Sequence, residues 1–139
     1  MIRYATITVL ALALCACEPF GGEKDKEALK KECPAAPTAL QSKPSQLGQF
    51  PSAQGISWTG ASKKGPSTIG SGYMNLTIGP AHQAWSAALK GANGYSVTHE
   101  EQDVADSEVN FSGHGTSGQV KMKQTCKTRT LVTVTIRPS

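Results

Sequence analysis

The sequence predicts an α+β domain, with one helix packed on a mostly antiparallel sheet of about five strands, after a disordered tether. Three observations predict it. Ala81, Ala84, Trp85, Ala88 and Leu89 recur at helical spacing and share one face. Apolar and polar residues alternate in several short segments, the period of a half-buried strand. Short turns separate the later segments, which suits antiparallel neighbours with one solvated face.

The organised region is expected to begin near Gly72. Met74, Leu76 and Ile78 alternate with Asn75 and Thr77 and read as a strand. Gly79-Pro80 then stops the strand and opens the helix, with Pro80 suited to the first helical position. Gly91 and Gly94 supply the C-terminal stop. Tyr95, Val97 and His99 alternate next, followed by a charged turn from Glu100 to Ser107. Val109 and Phe111 then alternate, ahead of a glycine-rich loop from Gly113 to Gly118. Val120 and Met122 form a further strand, and Val132, Val134 and Ile136 the last. The helix is expected to cover the apolar face of this sheet alone.

The first part of the chain reads differently. Residues 18–54 are interrupted by Pro19, Pro34, Pro37, Pro44 and Pro51 and carry few large apolar groups, the composition of a flexible tether. Within it, Glu23 to Glu32 alternates charge among good helix formers and reads as a short solvated helix, ending before Pro34. Residues 55–71 are rich in Gly, Ser, Lys and Thr. They read as irregular, with one strand around Ile56 to Thr59 and an exposed turn at Lys63-Lys64-Gly65-Pro66. The expected division is a signal peptide over 1–16, a lipid anchor and Pro-rich tether over 17–54, and a small α+β domain over 55–139.

An export signal is expected at the N-terminus. Arg3 precedes an uncharged run from Tyr4 to Leu14, and the chain turns polar after Cys17. The run is too short for a membrane-spanning helix. Leu14-Cys15-Ala16-Cys17 resembles the lipobox of bacterial lipoproteins, with Leu14 at −3 and Ala16 at −1 of the modified cysteine. Cys15 at −2 departs from the usual small residue. The resemblance implies that Cys17 is lipidated. Glu18 after it, under the usual sorting rule, implies the periplasmic face of the outer membrane. Cleavage after Ala13 by the ordinary signal peptidase is the alternative and would retain all 4 cysteines.

With Cys15 removed and Cys17 acylated, Cys33 and Cys126 remain as an even pair in an oxidising compartment, and a disulfide is expected. Such a bond would close a loop of about 94 residues. It would shorten the free tether from about 120 Å of maximal reach to about 50 Å.

The segment from Gly79 to Pro138 is similar to small, uncharacterised helix-on-sheet domains of bacterial lipoproteins. The residues that carry the likeness are Trp85, Ala88, Leu89, Gly94-Tyr95-Ser96-Val97, Phe111, Val120 and Val132 to Ile136. A related layout occurs in accessory lipoproteins of outer-membrane assembly. The likeness implies a binding or structural role rather than catalysis.

Charge narrows the partner classes. The formal net charge is +4, from 14 basic and 10 acidic residues. From Gly55 onward, 8 basic residues face 5 acids. That excess, without clustered aromatics, argues against nucleic acid. Lys121, Lys123, Lys127 and Arg129, with Arg137, form a basic set on the last two strands, while Glu100, Glu101, Asp103, Asp106 and Glu108 form an acidic cluster. These sets read either as a surface for a partner or as ordinary solvated charge. His82, His99 and His114 have no metal-ligand spacing, so no metal or other cofactor is expected. His114 and Ser117 are the enzyme-like pair, with Asp103 or Asp106 as orienter, but Gly-Thr-Ser-Gly is not a nucleophile elbow.

The expected function is therefore a non-enzymatic, lipid-anchored binding or structural module whose partners are the membrane and an envelope protein. A periplasmic inhibitor or immunity protein is the first alternative, and a small hydrolase using His114 and Ser117 the second.

Overall fold

The computed structural model describes residues 22–139. The signal segment and Cys17 lie outside the described residues. The fold is α+β, with a single six-stranded antiparallel sheet in the order β1-β2-β6-β5-β4-β3. The strands are β1 (Ile56–Lys64), β2 (Ser67–Met74), β3 (Tyr95–Gln102), β4 (Asp106–Gly113), β5 (Thr116–Cys126) and β6 (Arg129–Pro138). Helix α1 (Gly22–Ala28) precedes them and buries no residue. It overlaps the first part of the solvated helix expected over Glu23 to Glu32 and ends earlier, at Ala28. Helix α2 (Ile78–Gly91) joins β2 to β3, crossing from one side of the sheet to its far edge. The chain then returns strand by strand until β6 lies against β2.

Helix α2 buries Ile78, Ala81, Trp85 and Leu89. It thus uses the face marked by the helical periodicity. Its N-terminus falls two residues before Pro80, which nevertheless sits in the first turn, where a missing N–H is harmless. Thr77 makes no side-chain cap. Instead the buried Gln124 side chain on β5 accepts a hydrogen bond from the Ile78 N–H at 2.9 Å. Its amide also donates to the carbonyls of Cys126 (3.0 Å) and Lys127 (3.1 Å). One side chain thereby satisfies the helix start and the β5–β6 turn.

The expected strand over Met74 to Ile78 is corrected. Met74 ends β2, and Ile78 begins α2. The alternation arises because the link crosses the core side of the sheet: Met74 and Ile78 are buried, and Leu76 is packed against the core. The Thr130 hydroxyl donates to the Leu76 carbonyl and holds this link.

Residues 55–71, expected to be mostly irregular, form β1 and much of β2. Their pairing closes at Lys64↔Ser67, with the expected turn Gly65-Pro66 between them. Small polar residues concealed this hairpin. Gly70 and Gly72 face the helix side, where the pattern would normally show large apolar residues. A Cβ on Gly70 would lie 2.9 Å from a Leu47 methyl and 3.2 Å from the Trp58 ring. Glycine here lets other residues supply the core.

The flexible tether expected over 17–54 is corrected at its distal end. A 3-10 turn at Ser45–Leu47 brings the chain onto the helix side of the sheet. Leu47, Phe50 and Ala53 are all buried in the core with Trp58, Met74, Trp85 and Phe111. The Phe50 ring lies 6.0 Å from Trp85, 5.9 Å from Tyr95 and 4.9 Å from Phe111. The prolines break regular structure but do not prevent three spaced apolar residues from docking. Helix α2 therefore does not cover the sheet alone.

Cys33 and Cys126 form a disulfide across 93 residues of sequence. The surrounding chain is held as well. Lys127 N–H donates to the Lys31 carbonyl at 2.9 Å, and Arg129 Nη1 donates to the Pro34 carbonyl at 2.7 Å. Farther on, Leu40 N–H donates to the Trp58 carbonyl at 2.7 Å, so residues beyond Cys33 follow the β1 edge.

Candidate functional site

Helix α2 and the segment from Leu47 to Ala53 occupy one face of the sheet. The other face is open over β4, β5 and β6, whose side chains there are largely exposed, whereas Tyr73 on β2, beside Leu131, is buried. Register assigns the side chains of this face: β4 presents Asp106 and Glu108, β5 Lys121 and Lys123, and β6 Arg129, Leu131 and Thr133. Alternation alone places these residues outward while Val109, Val120, Met122, Val132 and Val134 point to the core. Leu131 is 41% exposed on this face, near the start of β6, one of the two central strands of the sheet. A shallow depression of about 520 Å³ runs over the same residues, bordered by Glu101, Glu108, Lys121, Lys123 and Leu131.

Charges on the open face pair across strands. Lys121 Nζ lies 4.0 Å from a Glu108 carboxylate oxygen, and Lys123 Nζ 3.9 Å from Asp106. All four are solvated, so these contacts contribute little to stability. They leave the charges free to exchange partners at small cost. Arg129 sits 5.6 Å over the Tyr73 ring, combining a cation–π contact with its bond to Pro34. Lys127 lies in the β5–β6 turn and pairs with Glu32. Of the four basic residues singled out from the sequence, Lys121, Lys123 and Arg129 share the open face, and Lys127 stands at its end.

His114 and Ser117 are not joined. His114 occupies a two-residue turn between the paired Gly113 and Thr116, at φ +50°. Its Nε2–H donates to the Asn93 carbonyl at 2.8 Å, and its ring lies 4.9 Å from Tyr95. Ser117 pairs with Ser112 and Arg137, farther along the sheet. Asp106 begins β4, and Asp103 lies in the preceding turn, at the opposite end of that strand from the His114 turn. The sequence pattern grouped residues that the sheet separates.

A different polar cluster escaped the sequence. His82 on α2 hydrogen-bonds through Nδ1 to the Ser107 hydroxyl on β4. Its Nε2 faces Glu100 on β3 at 3.6 Å. The types suggest a nucleophile, base and acid, but the bonding runs the other way. The Ser107 hydroxyl proton is committed to the Glu101 carbonyl at 3.0 Å, so its oxygen accepts from the imidazole. Ser107 is also only 6% exposed. The cluster ties the helix to the sheet edge. Glu100 takes the Ser86 hydroxyl and the Lys90 ammonium as partners, and these hold its carboxyl below the usual range. No local spacing signals this set, because its members come from three elements.

Among the described residues, no helix is long and apolar enough to cross a membrane. No group of three or more His, Cys, Asp or Glu among them converges as a metal site. No family model, curated protein or solved structure matches the chain.

Proposed function

We propose that this chain is a lipid-anchored envelope protein acting as a non-enzymatic binding module, with the open face of its sheet as the surface for an envelope protein partner. The observation that supports this most is that α2 and residues 47–53 cover one sheet face and leave the β4–β6 part of the other largely exposed. The opposite face carries adjacent rows of acidic and basic side chains around exposed Leu131. Exposed apolar groups rimmed by charge favour association, with rim charges setting specificity and encounter rate. The Leu14-to-Cys17 junction supports a lipid at Cys17. Glu18 supports retention at the outer membrane, on its periplasmic face. More than one acyl chain is needed for firm anchoring, which a triacylated cysteine supplies.

Two measurements test the reading separately. Cys17→Ser should move the exported protein from the membrane fraction to the soluble fraction; retention after that change refutes the anchor. A photo-crosslinking amino acid at Leu131 should capture a discrete envelope protein in cells, and Lys121→Glu with Lys123→Glu should reduce that capture. Equal capture by a crosslinker at exposed Lys64 would refute the open face as the partner surface.

A further inference from the structure

A second concave site lies at the opposite end of the β5 strand from the disulfide. It is a cleft of about 460 Å³ between the Ser45–Leu47 turn and the ends of β2, β3, β5 and β6. Leu47 and Phe50 form part of its wall. Gln46, Gln49, Thr68, Thr116, Tyr95 and His114 supply amide, hydroxyl, phenol and imidazole groups around it. No Lys, Arg, Asp or Glu side chain lines it among the described residues. We propose that this cleft binds a neutral oligosaccharide.

The chemistry of the lining selects that class. An ionic ligand would lose its hydration in the cleft without gaining a counter-charge. A purely apolar ligand would cover the amides and hydroxyls and leave their hydrogen bonds unmade. A neutral sugar offers both donors and acceptors at its hydroxyls and an apolar face of C–H groups, and so matches a lining of amides and hydroxyls beside the half-buried Tyr95 ring, which buried Leu47 and Phe50 back from behind. The volume falls within the range of small-molecule sites.

The His114 turn is built for this position. His114 at φ +50° and Gly115 at φ +69° form a two-residue hairpin turn in which Asn-Gly is the usual choice. The imidazole is held by Asn93 and Tyr95, and Gly94 leaves it room: a Cβ on Gly94 would lie 2.5 Å from His114 Nε2. Because Nε2–H is committed to Asn93, a neutral ring keeps Nδ1 as an acceptor. The Tyr95 phenol is neutral at its ordinary value, and burial only raises it further.

The position also fits the anchoring proposed above, on which this orientation rests. Cys126 ends the 11-residue β5, and Thr116 begins it, a span of about 33 Å. With the tether leaving beside Cys33, the cleft lies at the end of the domain far from the point where the tether joins it.

The test uses the full-length exported chain, isotopically labelled and purified in detergent, with chitotetraose as the probe. Sugar titration should move the backbone amide NMR signals of Gly48, Gln49, Thr68, His114 and Thr116 in a saturable manner. His114→Asn keeps a residue suited to the turn, and its unperturbed signals should be those of a folded domain. That variant should weaken binding about fivefold or more, as should Gln49→Ala, each removing about one hydrogen bond. If chitotetraose and maltotetraose both leave these amides unmoved at about 10 mM, the proposal is overturned. It is also overturned if the shifts map to Lys121, Lys123 and Leu131, or survive both substitutions undiminished. Sugar binding in detergent does not depend on acylation, so this outcome is independent of the Cys17→Ser result.

Discussion

The Phe50 ring lies 4.9 Å from the Phe111 ring, joining a proline-rich segment to the second half of the β4 strand. Phe50 is 1% exposed, and Leu47 beside it is 3% exposed. Residues that compose like a linker thus complete the core. Phe50→Ala should destabilise the domain by about 3–5 kcal/mol, and Leu47→Ala by about 2–5 kcal/mol. Denaturant unfolding checks both. A loss below about 0.5 kcal/mol, typical of an exposed site, would show that the segment is a tether after all.

Gly70 makes room for that docking. Gly70→Val would drive its side chain into Leu47 and Trp58, which already crowd a single Cβ. The expected cost is about 1–3 kcal/mol from overpacking. Pairing Gly70→Val with Leu47→Ala should cost less than the sum of the two changes, because the second relieves the clash. Strict additivity in a double-mutant cycle would refute the contact.

The buried Gln124 side chain makes three hydrogen bonds, two of them buried and the one to Lys127 part-buried. Gln124→Ala leaves the Ile78 N–H at the helix start and two turn carbonyls without it. The expected loss is about 1–3 kcal/mol in unfolding free energy. Hydrogen exchange of the first turn of α2 should accelerate more than that of β6. Uniform acceleration would mean that Gln124 does not act as the helix cap.

The disulfide is asymmetric in exposure. Cys126 is 1% exposed, whereas Cys33 is partly exposed and its sulfur receives the Thr128 N–H at 3.4 Å. A thiolate attacking accessible Cys33 must expel a buried thiolate at Cys126, and direct attack on Cys126 is sterically closed. Reduction of the native protein should therefore be slow and should accelerate in step with unfolding as denaturant is added. Once reduced, the domain should lose about 2–4 kcal/mol. Fast reduction without denaturant would contradict the buried position of Cys126.

Glu100 makes stability depend on acid. Its carboxyl is held below the ordinary 4.5 by Ser86 and Lys90. The folded state thus binds the Glu100 proton less readily than the unfolded state. The resulting stabilisation is fully present above the unfolded value and is lost as pH falls through the folded one. Glu100→Gln should lower the melting temperature at neutral pH, and the gap to the native protein should close progressively below about pH 4.5. A gap of constant size from about pH 3 to 7 would remove Glu100 as the cause.

Local periodicity by itself determined helix α2, its buried stripe from Ala81 to Leu89, and the later strands through Val109, Val120 and Val134. In those elements each residue's environment follows from its immediate neighbours, so a 3.6- or 2-residue repeat suffices. Cysteine counting, with Cys15 assigned to the signal and Cys17 to the lipid, likewise singled out the Cys33–Cys126 pair. Tertiary structure alone decided the β1–β2 hairpin and the docking of Leu47 and Phe50. There the strand supplies glycine and the distant segment supplies the ring, so neither carries the periodic signal that the two complete together. The His82–Ser107–Glu100 cluster and the cleft at His114 arise in the same way. Each gathers residues from separate elements, and only the order of strands in the sheet sets them within reach of one another.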